Sequence, residues 1–353
     1  MQTVYPDAEG CLMEFGLECS SPFVPAHYQP ACLLDLAVNR GVDSHRLLRG
    51  TGLFHDDILQ GNRAISPAEF FQLIANLRQT LGTDDSSFLL GQHWLPGHFG
   101  PASHAIRHAD NLHIALQRLE ALSCVLSPLQ KPRLRVDEHY AYVYWLDSYG
   151  SGGQRVFLLE ALSAALTSMC RWLSGQRLPW QYQFRHAQPR YIEQYWVHLG
   201  EDVRFGCPLD QMRIPREYLS QPWSSASVTA GQVAEREAHA WLQQLPASAG
   251  FLDQLYDYLQ ENLRQPLGLE RVAEVFQVSP ATFKRKLHKH ATGFQEQLDQ
   301  ARTSVAVYLY LSQGYSNDEV ANYLHFNDSA NFRRAFKRWT GMLPSELKTF
   351  LLL

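Results

Sequence analysis

A single helical unit is written twice toward the carboxy-terminal end of this chain, and that repeat restricts the fold more than any other feature. Val272-Ala273 recurs as Val320-Ala321, Val278 answers Phe326, and Thr292-Gly293 recurs as Thr340-Gly341, all at one constant offset. Recurrence at a fixed period marks one small structural unit used more than once. Each copy predicts a helix, a tight turn and a second helix. Val272, Ala273 and Phe276 make the apolar stripe of the first helix in copy one, and Phe283 and Leu287 that of the second. Copy two repeats the pattern with Val320, Ala321 and Leu324, then Phe332 and Phe336. The last pair falls one residue beyond the common offset, which a turn one residue longer in copy two explains.

An amphipathic helix buries one stripe and leaves its other face free. In copy one the free face holds Lys284, Arg285, Lys286, His288, Lys289 and His290, with no carboxylate between Glu274 and Glu296. In copy two it holds Arg333, Arg334, Lys337 and Arg338, with none between Asp328 and Glu346. One such run is ordinarily a solvated surface. Two acid-free clusters on the second helix of the same repeated motif point instead to docking on DNA, where one helix enters the major groove and cations meet the flanking phosphates. Between the copies, Leu298, Ala301, Val305 and Leu309 recur at helical spacing, so Phe294 to Leu311 predicts one continuous helix holding the motifs apart.

The segment Leu269 to Leu347 resembles the DNA-binding domain of the AraC/XylS transcription regulators. The stretch Ala330-Asn-Phe-Arg-Arg-Ala-Phe-Lys-Arg-Trp-Thr-Gly-Met-Leu-Pro-Ser-Glu346 carries the likeness most strongly. The run Ser279-Pro-Ala-Thr-Phe-Lys-Arg-Lys-Leu287 with Thr292-Gly-Phe-Gln-Glu-Gln-Leu-Asp299 is similar to the first motif of one branch of that family. The family's turns usually carry Gly, where the backbone needs positive φ. Gln277 and His325 stand there in this chain, a local strain on the order of 1 kcal/mol each that the turns should survive.

Composition is that of an ordered protein. With 353 residues, 45% hydrophobic and 19% charged, the chain is long enough for two cores. Residues 251–353 carry 12 Lys/Arg against 11 Asp/Glu, and the rest 19 against 24. A nearly neutral half with locally sorted charge suits sequence-specific binding better than indiscriminate polycation behaviour. The six cysteines form no C-x-x-C pair, and Met1-Gln-Thr-Val-Tyr-Pro-Asp7 has no signal-peptide pattern, so reduced thiols in a cytoplasm are expected. The most apolar helix, Val156 to Leu173, is interrupted by Glu160 and Arg171 and is expected to be too short for a bilayer, so no membrane partner is expected.

Residues 25–222 predict an α+β domain with a small, mainly antiparallel sheet. Helical periodicity covers Ala31 to Asn39, Pro67 to Leu81 after the cap Ser66, Asn111 to Leu126, Arg155 to Leu173 and Tyr191 to Leu199. Period-two stretches at Arg133 to Asp137 and Tyr140 to Asp147 predict a hairpin, with further strands near Tyr182 to His186, Val203 to Phe205 and Gln211 to Ile214. The region resembles the arabinose-binding-like regulatory domain of the same branch, through Leu33-Leu-Asp-Leu36, Arg40-Gly-Val-Asp43, Gly97-His-Phe-Gly100, Arg171-Trp-Leu-Ser-Gly175 and Val203-Arg-Phe-Gly-Cys-Pro208.

The expected organisation is an amino-terminal extension over 1–24, a regulatory and dimerisation domain over 25–222, a connecting helix and linker over 223–249, and an all-α domain over 250–353 with two helix-turn-helix motifs joined by a linking helix. The domain boundary falls near Ser248, in a Pro-, Ser- and Gly-rich stretch.

The candidate DNA contacts are Ala281, Thr282, Lys284, Arg285, His288 and Lys289 in copy one, and Ser329, Asn331, Arg333, Arg334, Lys337 and Arg338 in copy two. Tyr140, Tyr142 and Tyr144 alternate on one strand face and, with Trp94 and Trp145, are candidates for an apolar effector pocket. His93, His98, His104, His108 and His113 crowd one stretch, but without H-E-x-x-H or a Cys pair no metal is expected, and no cofactor.

No nucleophile with its base stands out, and Cys170-Arg171 and Cys207-Pro208 lack the cationic setting of a repair methyltransferase thiol, so no enzyme activity is expected. The resemblance implies a cytoplasmic homodimeric regulator on double-stranded promoter DNA, with RNA polymerase as partner. Its amino-terminal domain would either sense a small-molecule effector or serve only dimerisation and protein contacts.

Overall fold

A computed structural model describes residues 16–245 and 249–347. After strand β1 (Val24–Pro25) come helices α1 (Gln29–Asn39), α2 (Ser44–Leu48) and α3 (His55–Gln60), strand β2 (Ala64–Ile65), and helices α4 (Pro67–Leu81), α5 (Ser86–Trp94), α6 (Gly100–Arg107), α7 (Leu112–Ala121) and α8 (Ser123–Leu126). The hairpin β3 (Gln130–Val136) and β4 (Tyr140–Asp147) leads to α9 (Arg155–Ser174), β5 (Gln181–Gln183), α10 (Ile192–His198), β6 (Val203–Arg204), β7 (Gln211–Pro215) and α11 (Val228–Leu242). Six helices follow: α12 (Phe251–Asn262), α13 (Leu269–Val275), α14 (Pro280–Lys289), α15 (Phe294–Ser312), α16 (Asn317–Tyr323) and α17 (Ser329–Thr340).

The amino-terminal part is mixed α/β. Its main sheet has the order β3-β4-β7-β5-β6, antiparallel except between β5 and β6. Local chemistry starts the helices where the sequence predicts. Ser66 accepts a hydrogen bond from Glu69 N at 3.3 Å while Glu69 Oε2 accepts from Ser66 N at 2.7 Å, a reciprocal cap that opens α4 with Pro67 in its first turn. Asn111 caps α7 by accepting from Ile114 N at 3.0 Å.

Successive strand residues face opposite sides of a sheet. In β4, Ala141, Val143 and Trp145 turn into the amino-terminal core beside α9, whereas Tyr144 and Leu146 enter a second core with Leu255, Tyr256 and Leu259 of α12. The sheet is therefore covered on both faces. Ion pairs and hydrogen bonds border this contact: Arg133 joins Asp257 and, at 3.4 Å, Glu120, and Ser148 Oγ donates to Asp253 Oδ1 at 2.8 Å. Arg135 stacks over the Tyr308 ring at 4.8 Å and donates to Ser304 O at 3.3 Å.

One expectation needs correction. Helix α9 has 20 residues, about 30 Å at 1.5 Å per residue, so it is not too short for a bilayer. Together with the turn before it, Gly152–Ser174 is apolar enough as well, but 78% of its most apolar window is buried inside the protein, as in a core helix. Glu160 does not break the helix because its carboxylate is hydrogen-bonded in the core. The connecting helix α11 lies along α6, with Arg118 Nε 2.9 Å from Glu235 and so little space at Gly231 that a Cβ there would meet His108 O at 2.9 Å. Ser248 itself lies outside the described residues, as do residues 1–15 of the amino-terminal extension. Residues 16–24 are bound rather than loose, since Leu17 N donates to Ala249 O and Phe251 N to Leu17 O, both at 2.9 Å.

Candidate nucleic-acid interface

Helices α13 and α14 pack as one pair and α16 and α17 as another, with α15 running between them. Phe251, Phe276 and Phe283 meet edge-on or tilted at 5.4–5.8 Å beneath the first pair, and Phe326, Phe332 and Trp339 at 5.6–6.3 Å beneath the second. Gln277 and His325 occupy the turns at φ 55° and 60°, the left-handed conformation that favours Gly. The turns also differ in length: four residues separate α13 from α14 and five separate α16 from α17, which places the extra residue of copy two after the left-handed position. A third non-glycine at positive φ, Ala291 at 50°, follows α14 and carries no signal in the sequence pattern.

The second helix of each pair starts on a side-chain cap. Ser279 accepts from Thr282 N at 3.2 Å with Pro280 at the first helical position, and Asp328 accepts from Asn331 N at 2.6 Å. Thr282 and Asn331 are thereby engaged in the caps themselves. The Thr282 hydroxyl meets Ser279 Oγ at 3.0 Å, and Asn331 Nδ2 donates to Asp328 Oδ2 at 2.7 Å while its Oδ1 accepts from Arg334 Nη2 at 2.5 Å. Ser329 and Asn331 are half-buried, as is Thr282; Ala281, Lys284, Arg285, His288, Lys289, Arg333, Arg334, Lys337 and Arg338 are exposed.

The cations differ in their surroundings. Lys284, Arg285, Arg333 and Lys337 form no ion pair among the described residues. Arg338 reaches Asp299 of α15 at 3.2 Å, which ties α17 to the linking helix. Lys286 and Lys289 both approach Glu18, Lys289 at 3.8 Å, and Cys19 Sγ donates to Lys289 O at 3.4 Å. Burial alone would raise the Glu18 carboxyl. The hydrogen bond and charge of Lys286, with Lys289 and His290 nearby, carry it below its ordinary value.

A groove of about 400 Å³ beside α17 is lined by Arg333, Arg334 and Lys337 together with Asn317, Leu343, Pro344 and Ser345. The lining residues outside α17 were not among the sequence candidates. Asn317 and Ser345 are neutral and lie on other elements, so no charge pattern marks them.

The aromatic effector candidates are divided: Trp94 and Trp145 belong to the amino-terminal core, while Tyr142 and Tyr144 share a small cavity. Trp94 stacks on Phe70 at 6.2 Å and donates to Leu126 O at 2.8 Å deep in the amino-terminal core, and Trp145 faces that core from the sheet. Tyr140 lies under Arg213 at 4.7 Å. Tyr142 and Tyr144 line a cavity against Val307, Tyr308 and Leu311 of α15, but its volume of about 20 Å³ has room for one water rather than a metabolite.

Among the described residues no three His, Cys, Asp or Glu side chains gather as metal ligands. Burial pushes the Cys170 and Cys207 thiols up to about 12, the reverse of an activated thiolate.

Residues 41–223 match the family model described as the arabinose-binding domain of AraC transcription regulator, N-terminal, and residues 272–349 match a helix-turn-helix domain. An ornithine utilization regulator of Pseudomonas aeruginosa is 28% identical over 337 residues, covering 95% of this chain and 99% of that protein. Rns of Escherichia coli, a DNA-binding dual transcriptional regulator, is 26% identical over 100 residues, 28% of this chain and 38% of its own. The crystal structure of the transcriptional regulator CdpR from Pseudomonas aeruginosa overlaps 91% of this chain and 98% of its own, at 18% identity and a TM-score of 0.44.

Proposed function

The chain belongs to the AraC/XylS transcription regulators with an arabinose-binding-like amino-terminal domain, and on that premise we propose how it reads and answers its DNA. It is a DNA-binding transcription regulator. Residues 250–353 form the reading unit, with α13–α14 and α16–α17 as two helix-turn-helix motifs. Arg285 and Arg334 are assigned to base edges, and Lys284, His288, Lys289, Arg333, Lys337 and Arg338 mainly to phosphates. Ala281, Thr282, Ser329 and Asn331 contact DNA at the starts of the two reading helices. The protein acts as a homodimer in the cytoplasm on double-stranded promoter DNA and contacts RNA polymerase. Residues 25–222, together with α11, form the unit that sets its activity. The end-to-end relative is named for ornithine utilization, and we infer that this chain likewise controls genes for the use of a small metabolite that its amino-terminal unit senses.

The observation carrying this reading is that α15 runs as one continuous element between the pairs α13–α14 and α16–α17, whose second helices expose cations. Successive major-groove openings on one face of B-DNA recur about every 10 to 10.5 base pairs. Footprinting on sites recovered by genomic binding-site mapping tests it: each subunit should protect two short blocks about one turn apart. Protection that survives insertion of about five base pairs between the blocks would show that one motif alone reads DNA.

A further inference from the structure

The end of α4, the loop to α5, the start of α9 and Tyr191 enclose a cleft of about 510 Å³, none of whose lining residues belongs to the helices assigned to DNA. Its floor includes Glu160, the only acidic residue of α9 and just 3% exposed. Glu160 Oε1 accepts from the hydroxyls of Tyr195 at 2.5 Å and Tyr191 at 3.0 Å, and Oε2 accepts from Ser87 Oγ at 2.7 Å. Three neutral donors hold this carboxylate, and no ion pair among the described residues includes it. Burial raises its pKa, and the hydroxyl donors and the charge of Arg78 offset that only in part. A buried carboxylate without a direct ion pair, with Arg78 acting on it only through its charge, is a costly way to fill a core helix, because apolar packing of similar volume is commonly as stable. A cation arriving from the cleft would supply the missing partner.

The rim carries the complementary groups. Arg78 Nη1 donates to Gly153 O and Gln154 Oε1, both at 2.8 Å and both neutral, so this exposed guanidinium also lacks an ion pair among the described residues. Asp84 stands at the same rim, with Thr83 and Ser86 beside it, and Phe157 and Tyr191 provide apolar surface between floor and rim. Two carboxylates and one guanidinium leave the cleft one negative charge in excess. The fitting ligand carries two cationic groups and one carboxylate, separated by a short apolar stem.

We propose that this cleft binds a basic amino acid, with its side-chain cation paired to Glu160, its carboxylate held by Arg78 and its α-ammonium directed to Asp84. The proposal rests on the reading that the amino-terminal unit responds to a small molecule. The bound cation would reinforce the contact of α5, α9 and α10 around Glu160, which is how occupancy would be felt by the rest of the domain.

The test uses the full chain and a panel of L-lysine, L-ornithine and L-arginine, with 1,5-diaminopentane, which lacks the carboxylate, and hexanoate, which lacks both ammonium groups, as probes. At least one of the three amino acids should raise the melting temperature saturably, since a ligand that binds the native state stabilises it. Calorimetry should show it binding at least tenfold more tightly than either probe. Arg78→Ala, an exposed change, should weaken the amino acid at least tenfold and leave the diamine unaffected. Glu160→Gln keeps an acceptor oxygen for the tyrosines and should remove binding of both. No response to any of the three amino acids at millimolar concentration overturns the proposal. So does equal binding of the diamine, or binding that survives both substitutions. Titrating the same samples with mapped target DNA separates the two readings: DNA binding without amino-acid binding removes only this site, whereas a full chain that ignores its mapped sites removes the regulator reading itself.

Discussion

Glu18 and Lys286 are ion-paired although 268 residues separate them in the chain. The pair attaches the segment before the amino-terminal domain to the first of the two cationic helices, and Lys289 joins it from the next turn. Two lysines of α14 therefore meet a carboxylate of the same molecule. Nearby, Gly150 lies so close to the end of α14 that a Cβ there would fall 1.9 Å from His290 O. The first motif is thus held by the amino-terminal domain, while α17 is tied to its own neighbour α15 through Arg338 and Asp299.

Replacing Glu18 by Gln should release Lys286 and Lys289 to the DNA. The Lys286 and Glu18 side chains are only 19% and 18% exposed, so the pair is partly buried, and freeing the lysines should raise affinity at low salt. Each further phosphate that a lysine neutralises adds about 0.9 to the slope of log affinity against log salt, so the slope should steepen by about one to two. Fluorescence anisotropy across a salt series measures both quantities. An unchanged slope would place this side of α14 clear of the phosphates.

Base readout and phosphate contact separate at Arg334 and Lys337. Asn331 holds the Arg334 guanidinium at 2.5 Å, which limits the orientations it adopts. Arg334→Ala should relax preference at particular base pairs by roughly 1 to 3 kcal/mol. Lys337→Ala should weaken all sequences alike and flatten the salt slope by about one. Binding to a site library before and after each change distinguishes them, and the same uniform loss from both would remove the assignment of Arg334 to a base edge.

Ala306 is fully buried within α15. Proline there deletes a helix hydrogen bond and clashes with the preceding turn, at a cost of about 3 kcal/mol or more. Ala306→Pro should lower the melting temperature and, where the chain still folds, shorten the footprint from two blocks to one. A variant that retains both blocks at full affinity would mean that the two motifs need no rigid connection.

His290 closes α14 against the amino-terminal domain at 1% exposure, with Nδ1 3.3 Å from Tyr149 O and the ring packed on Phe251 and Tyr149 at 5.5 and 6.3 Å. Burial pushes its pKa down, with Lys286 adding to that shift and Tyr149 O, Glu18 and Asp147 opposing it. The folded state then binds the proton less readily than the unfolded chain, so this contribution to stability is complete above the ordinary value of about 6.5 and declines as the pH falls below it. Thermal melts between pH 7.5 and 5.5 should show a loss that His290→Gln reduces. Equal losses in the two proteins would assign the acid sensitivity elsewhere, for example to His27, His186 or His198, which burial shifts in the same direction.

Much of this architecture follows from short-range chemistry. The cap at Ser66, the extra turn residue in copy two and the uninterrupted α15 each depend on residues within a turn or two of one another, so local pattern determined them, whereas the left-handed turns at Gln277 and His325 were implied by the family resemblance. Alternation along β4 likewise identified two faces, but alternation records only that a face is covered and not by what. The tyrosine face packs against α12 and α15, because Arg133, Arg135 and Leu146 find partners in the other half of the chain. The same limit hid the attachment of Glu18 to α14, the docking of α11 on α6 and the cleft around Glu160, whose lining runs from Ala75 to Tyr191. Periodicity is set by the backbone and reaches a few residues. Pairing across hundreds of residues is decided by which surfaces the folded chain brings together, and only the tertiary structure records that.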